Sequence, residues 1–110
     1  MRASEYRRQF AQSMSEKQFQ EHVIALAHRL GWLVYHPFDS RRSAPGFPDL
    51  VLVRERTLFR ELKSATGVLS PPQRTWLAAL RTSGADADVW KPEHLMSGVI
   101  ERELRGRGTK

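Results

Sequence analysis

Three side chains near the middle of the chain have the types and spacing to do chemistry. Asp49 opens the run Leu50-Val51-Leu52-Val53, and Glu61 and Lys63 close the run that begins at Thr57, with only Arg54-Glu55-Arg56 between the two. Both runs are β-prone, and a three-residue separation suits a hairpin. A hairpin centred on Glu55 pairs Val53 with Thr57 and, four steps further out, Asp49 with Glu61, their Cβ atoms about 5 Å apart. Alternation along the strands turns Glu61 and Lys63 to the face of Asp49, while Leu50, Leu52, Leu58 and Leu62 point the other way. Two carboxylates so close repel unless neutralised, and the simplest neutraliser is a hard divalent cation with oxygen ligands, Mg²⁺ or Mn²⁺. A strand-opening turn at Pro48-Asp49 beside a solvated Glu61/Lys63 pair would give the same hairpin without a site.

The surrounding elements must hold these groups in place. Ser15, then Phe19, Val23, Ile24, Ala27 and Leu30 at three- and four-residue steps, with Gly31 as the stop, predict an amphipathic helix over about 15–30. Glu16 lies on the flank of its buried stripe, one turn before Phe19 and Gln20, and is the candidate third acid. Glu21, about 200° from Phe19, faces solvent. Trp32 to His36 reads as a short strand closed by Pro37, followed by a loop over 39–47. Ser70 caps a second helix over 71–82, with Pro71 at its first position, Gln73 at the capping-box position and Trp76, Leu77 and Leu80 as its apolar stripe. Ala87–Trp90 is a short strand, and Leu95, Met96, Val99, Ile100 and Leu104 suggest a weaker final helix. The expected order is αβββαβ with a helix appended, flanked by a basic, mobile segment over 1–14 that carries Arg2, Arg7 and Arg8, and by a basic tail.

In this order and spacing the chain resembles the VRR-NUC branch of the PD-(D/E)XK nucleases. The matching pieces are Ser15-Glu16, Gly31-Trp32, Arg41-Arg42 before Gly46-Phe47-Pro48-Asp49-Leu50, Glu61-Leu62-Lys63, Leu69-Ser70-Pro71 with Gln73, and Trp90-Lys91-Pro92. Pro72 departs from the commoner pattern, and residues 93–110, a helix and basic tail, lie outside the match to 15–92. The resemblance implies a restriction-endonuclease-like α/β fold, a mixed sheet flanked by helices. It further implies that Asp49, Glu61 and the main-chain carbonyl of Leu62 hold the metal with help from Glu16, that Lys63 positions or activates water, and that Gln73 completes the site. The expected reaction is hydrolysis of DNA phosphodiester bonds by a Mg²⁺-dependent endonuclease. Stand-alone members of this kind are associated with homodimers and branched DNA such as four-way junctions, and Phe38, Met96, Val99 and Ile100 could supply a dimer surface. His36, Arg41, Arg42 and Arg74 are placed to meet phosphates.

Composition agrees with that class. The 110 residues carry 18 Lys and Arg against 12 Asp and Glu, a net charge of +6 that suits a polyanionic partner. Hydrophobic residues at 40% and this length fit one small domain with a single core. With no Cys there is no disulfide framework, thiolate metal site or thiol nucleophile. The longest apolar run, Val23–Ala27, is far too short for a membrane span, and no signal-peptide core is evident, so a soluble cytoplasmic protein is expected. A nucleic-acid-binding module without catalysis, an RNA nuclease, and a subunit of a larger replication or repair complex all stay open at this point.

Overall fold

In the computed structural model, residues 2–37 and 44–106 are described. Helix α1 spans Ala3–Ser13 and α2 Glu16–Arg29, followed by strands β1 (Leu33–Tyr35), β2 (Leu50–Val53) and β3 (Thr57–Leu62). Helix α3 (Pro71–Thr82), strand β4 (Asp86–Trp90) and helices α4 (Pro92–Met96) and α5 (Val99–Arg105) complete the chain. The sheet order is β1-β2-β3-β4. The hairpin expected from sequence forms in the expected register, from Val53 opposite Thr57 to Leu50 opposite Arg60. β1 joins β2 antiparallel and β4 joins β3 parallel, with α3 as the crossover a parallel pair requires.

Ser15 starts α2 with a capping box: its hydroxyl accepts from the Gln18 amide at 3.0 Å, and the Gln18 side chain accepts from the Ser15 amide at 2.9 Å. The stripe that follows buries Phe19, Val23 and Ala27 against Leu50, Leu52, Leu58 and Leu62 of the sheet, with Trp90, Ile100 and Leu104 completing the core. On the opposite sheet face the Phe59 ring meets Phe47 edge-on at 6.3 Å, and Phe47 meets Trp76 of α3 at 5.1 Å. That aromatic stack seats α3 on the face that carries Glu61. Among the described residues no helix is long and apolar enough to cross a membrane.

Two expectations change. Residues 3–13 form helix α1 where a mobile segment was expected: its buried side are Ala11 and the following Met14, and Tyr6 and Phe10 stay exposed, so no apolar stripe marks it in the sequence. The single final helix is two, broken at Gly98, whose φ of 86° lies in the left-handed region. Ile100 is fully buried in the core, so it is not part of a dimer surface; Phe38 lies outside the described residues.

The arginines of the hairpin serve the fold. Arg54 and Arg56 flank the buried Trp32 ring at 4.8 and 5.1 Å. Arg54 donates to the Leu30 carbonyl at the end of α2 at 2.9 Å, Arg56 donates to the Glu103 carbonyl in α5, and Trp32 Nε1 donates to the Leu104 carbonyl at 2.9 Å. Helix C-terminal carbonyls, which lack intrahelical donors, thereby gain cationic ones.

Arg60 sits among the leucines on the core face, 3% exposed. It pairs with Asp86 at 2.9 Å and Glu103 at 3.1 Å, lies over the Trp90 ring at 4.9 Å, and donates to the Asp86 carbonyl at 2.9 Å. Arg60→Met would leave both acids without their cation. Because Asp86 and Glu103 reach solvent and can rehydrate, the expected loss is about 3 kcal/mol, the low end for breaking a buried pair. In a domain this small that is a fall in Tm on the order of 15 °C, read by a thermal scan.

Candidate active site

The site is built where β2 begins and β3 ends. Extending the register one step past Asp49 would set Pro48 opposite Leu62, and proline has no N–H to offer a partner strand. The Leu62 amide donates instead to the Asp49 carboxylate, Oδ2, at 2.9 Å. In an extended strand a residue's N–H and C=O point toward the same neighbour. The Leu62 carbonyl therefore also faces the Pro48 position, which supplies no amide to it.

Glu61 lies beside Asp49, 2% exposed. Its Oε2 accepts from Gln73 Nε2 at 2.9 Å and lies 3.6 Å from Lys63 Nζ. Its Oε1 is buried with no hydrogen-bond partner. Burial foremost, then the charge of Asp49 and a hydrogen bond shared with it, push the Glu61 carboxyl up to about 8; Lys63 works against the shift and Glu16 adds to it.

Gln73 has two tasks. Its amide oxygen accepts from the Ser70 amide at 2.8 Å to close the capping box of α3, and its amide nitrogen holds Glu61. The cap thus fixes which end of the side chain faces the carboxylate. The first turn of α3 is in turn set by Gly46. A Cβ there would sit 2.5 Å from the Pro72 carbonyl carbon, and Gly46 has φ 86°, so only glycine lets the loop before Asp49 close against this helix. Pro72, the departure from the family pattern, is the residue that Gly46 packs on. A cavity of about 170 Å³ lies here, lined by Pro37, Gly46, Phe47, Asp49 and Gln73 among others.

The other expected site residues are distributed around this centre. Glu16 is exposed at the start of α2 and reaches Glu61 through its field. His36 packs between the Asp49 carbonyl, 3.3 Å from Nδ1, and the Gln20 side-chain amide, 3.0 Å from Nε2. Gln20 was not singled out from sequence, although its place one turn after Glu16 puts it on the same helix face. Arg74 is exposed and donates to the Leu69 carbonyl at 2.9 Å. Arg41 and Arg42 lie outside the described residues. Trp32 and Trp90 are buried and Trp76 is stacked, so all three pack rather than present faces to a ligand.

A hard divalent cation fits this set. Among the described residues no three His, Asp or Glu side chains form a ready-made metal cage. Mg²⁺ does not need one, because it binds through one or two carboxylates and keeps waters. The unpartnered Glu61 Oε1, the adjacent Asp49 carboxylate and the Leu62 carbonyl are donors of that kind.

The raised Glu61 carboxyl has a consequence for stability. The folded protein keeps this proton up to about pH 8, whereas the unfolded chain releases it near the usual 4.5. The stabilisation is complete below about pH 4.5 and is lost as pH rises through 8. Metal-free protein is therefore expected to lose on the order of 3 kcal/mol of stability from this group between pH 5 and 8. Denaturant titrations across that window should show the decline, and Glu61→Gln should remove it. A wild-type slope that Glu61→Gln leaves unchanged would refute the assignment.

Comparison with known proteins identifies the family and the fold. A family model, the VRR-NUC domain, matches residues 2–92. The chain is also similar to a solved structure of a VRR_NUC domain, with 27% identity and a TM-score of 0.65 over 78% of this chain and 94% of that one. No curated protein matches.

Proposed function

Because the chain belongs to the VRR-NUC domain family and joins Asp49, Glu61 and Lys63 on one sheet face, we propose that it is a divalent-metal-dependent endonuclease that hydrolyses DNA phosphodiester bonds. The observation that carries this reading is the buried Glu61 oxygen without a partner, set beside a second carboxylate. Two acids held this close, one of them buried, make it costly to ionise both, a cost that a bound cation would offset and that a binding module would have no reason to bear.

In this reading Asp49, Glu61 and the Leu62 carbonyl hold Mg²⁺, with Mn²⁺ able to substitute and Glu16 assisting from α2. An ion held there would supply polarisation of a phosphodiester oxygen and a lowered pKa for a water it binds. Lys63 supplies a donor and a positive charge where the pentavalent phosphate gains negative charge. Gln73 holds Glu61 Oε2, which keeps Oε1 turned to the metal side. Arg41, Arg42 and Arg74 meet phosphates flanking the bond that is cut, while His36, expected from sequence to do the same, has its ring nitrogens engaged by the Asp49 carbonyl and the Gln20 amide and steadies the approach to Asp49. One site cuts one strand, so paired cuts across a branched substrate such as a four-way junction require a homodimer. Met96 and Val99 remain the residues offered for its surface.

Linear duplex, single-stranded, flap and four-way-junction DNA, incubated with the protein in EDTA, Mg²⁺ or Mn²⁺, test this on one gel. The expected result is metal-dependent cleavage with a preference for branched DNA. Binding without cleavage in every condition would overturn the reading in favour of a non-catalytic module. Gel filtration at micromolar concentration that shows only monomer would remove the homodimer.

A further inference from the structure

Most of the basic residues near the core are already engaged. Arg54, Arg56 and Arg60 hold helices and the core, and Arg81 and Arg105 pair with Asp88 and Glu101. Arg7 and Arg8 on α1 make no ion pair or side-chain hydrogen bond among the described residues. Both line a groove of about 630 Å³ between α1, the turn after β3 and α4, with Thr66, Met96 and Ser97 also on its walls and, among the described residues, Glu93 the only acid there.

The groove adjoins the catalytic lysine. The turn closes with the Gly67 amide donating to the Ser64 carbonyl at 3.1 Å, and a Cβ on Gly67 would lie 3.3 Å from Lys63 Cδ. The turn therefore backs directly onto Lys63, and its tip, Ala65 and Thr66, forms one wall of the groove. Ala65 is two residue steps from Lys63, a reach of at most about 7 Å. At about 3.4 Å of rise per nucleotide, that is some two nucleotides of one strand.

A second lysine stands at the junction. The parallel register ends with Leu62 opposite Trp90, and the Lys63 amide donates to the Trp90 carbonyl at 3.1 Å. The next pair is Lys63 beside Lys91. Lys91 stays extended, with φ −124° and ψ 162°, so alternation turns it to the face of Glu61 and Lys63, away from the core that Trp90 fills. It directly precedes α4, whose Glu93 and Met96 line the groove together with the capping Ser97.

We propose that this groove is a track for the DNA backbone: the strand cut at Asp49 and Glu61 runs past Lys63 and Lys91 and lies against α1, where Arg7 and Arg8 contact its phosphates. Guanidinium forks match phosphate oxygens, and the mostly small side chains of the remaining wall, such as Ser4, Ala11, Ala65 and Thr66, leave room for the sugars. Among the described residues no aromatic side chain lines the groove, so the contacts are to backbone and independent of sequence. The proposal rests on the nuclease reading above.

The test measures binding of a fluorescent duplex by anisotropy in EDTA over a range of salt, for wild type, R7A/R8A, K91A and the control R29A/R102A. The control removes the same charge from exposed positions outside the groove. R7A/R8A is expected to bind about tenfold more weakly near 0.1 M salt and to reduce the salt slope by about 1.8, the value for two lost phosphate contacts. K91A should reduce the slope by about half as much, and the control should change it little. Wild-type binding that R7A/R8A and K91A leave unchanged, or that the control weakens equally, overturns the track and leaves the nuclease reading intact. No wild-type binding to any DNA overturns both. Thermal scans establish that the variants are folded.

Discussion

Asp49→Asn is expected to reduce metal-dependent cleavage about 10³-fold or more while leaving the metal-free fold at least as stable as the wild type. The loss follows from the weaker metal site, since a bound metal contributes several kcal/mol to a transition state and each 1.36 kcal/mol is a factor of ten. The gain in stability follows from the same residue. The Asp49 charge is a principal reason that the Glu61 carboxyl is raised, so a neutral amide there relieves the repulsion. The asparagine oxygen still accepts from the Leu62 amide, the bond Asp49 makes at 2.9 Å, and its NH₂ can donate to Glu61. At pH 8.5 without metal this should raise stability by about 1 kcal/mol, or a few degrees in Tm. Mg²⁺ should raise the Tm of the wild type and not of the variant, because only a ligand bound by the native state stabilises it. A variant that loses cleavage and several degrees together would make Asp49 a structural residue.

The opposition of activity and stability at Asp49 shows which parts of the molecule could be read from sequence. The hairpin could, because its centre at Glu55 and the period of two settle which residues face each other, and Leu50 opposite Arg60 is the register that follows. Gln73 could in part: its place three residues after Ser70 gives the capping box, whereas its reach toward Glu61 is implied only by the family resemblance. Helix α1 could not, since its contacts come from small or terminal residues, Ala11 and Met14, while its large apolar side chains stay exposed. Arg60 could not: alternation sets it on the face of Leu58 and Leu62, but the acids that let a cation be buried there, Asp86 and Glu103, come from β4 and α5. Gly46 marks a turn in any sequence, but its contact with Pro72 depends on where α3 docks. What is local in sequence is legible, and what depends on a distant partner is not.

Lys63→Ala is expected to lower the cleavage rate about 10²-fold or more, the scale of removing one electrostatic stabiliser, with DNA affinity largely retained. A second effect separates a catalytic role from a packing role. Lys63 Nζ, 3.6 Å from Glu61 Oε2, opposes the upward shift of that carboxyl. Without the ammonium the Glu61 carboxyl rises further, so metal binding requires a higher pH and the activity profile moves to the alkaline side. Lys63→Arg keeps the charge but presents a planar fork in place of a compact ammonium. It should restore the pH profile more fully than the rate, because the profile needs only a cation near Glu61 whereas the rate needs a donor at the reacting phosphate. Rate-against-pH curves for the three proteins at one fixed, sub-saturating Mg²⁺ concentration decide the matter: unchanged turnover in Lys63→Ala would remove Lys63 from the chemistry, and an unshifted profile would remove it from control of Glu61.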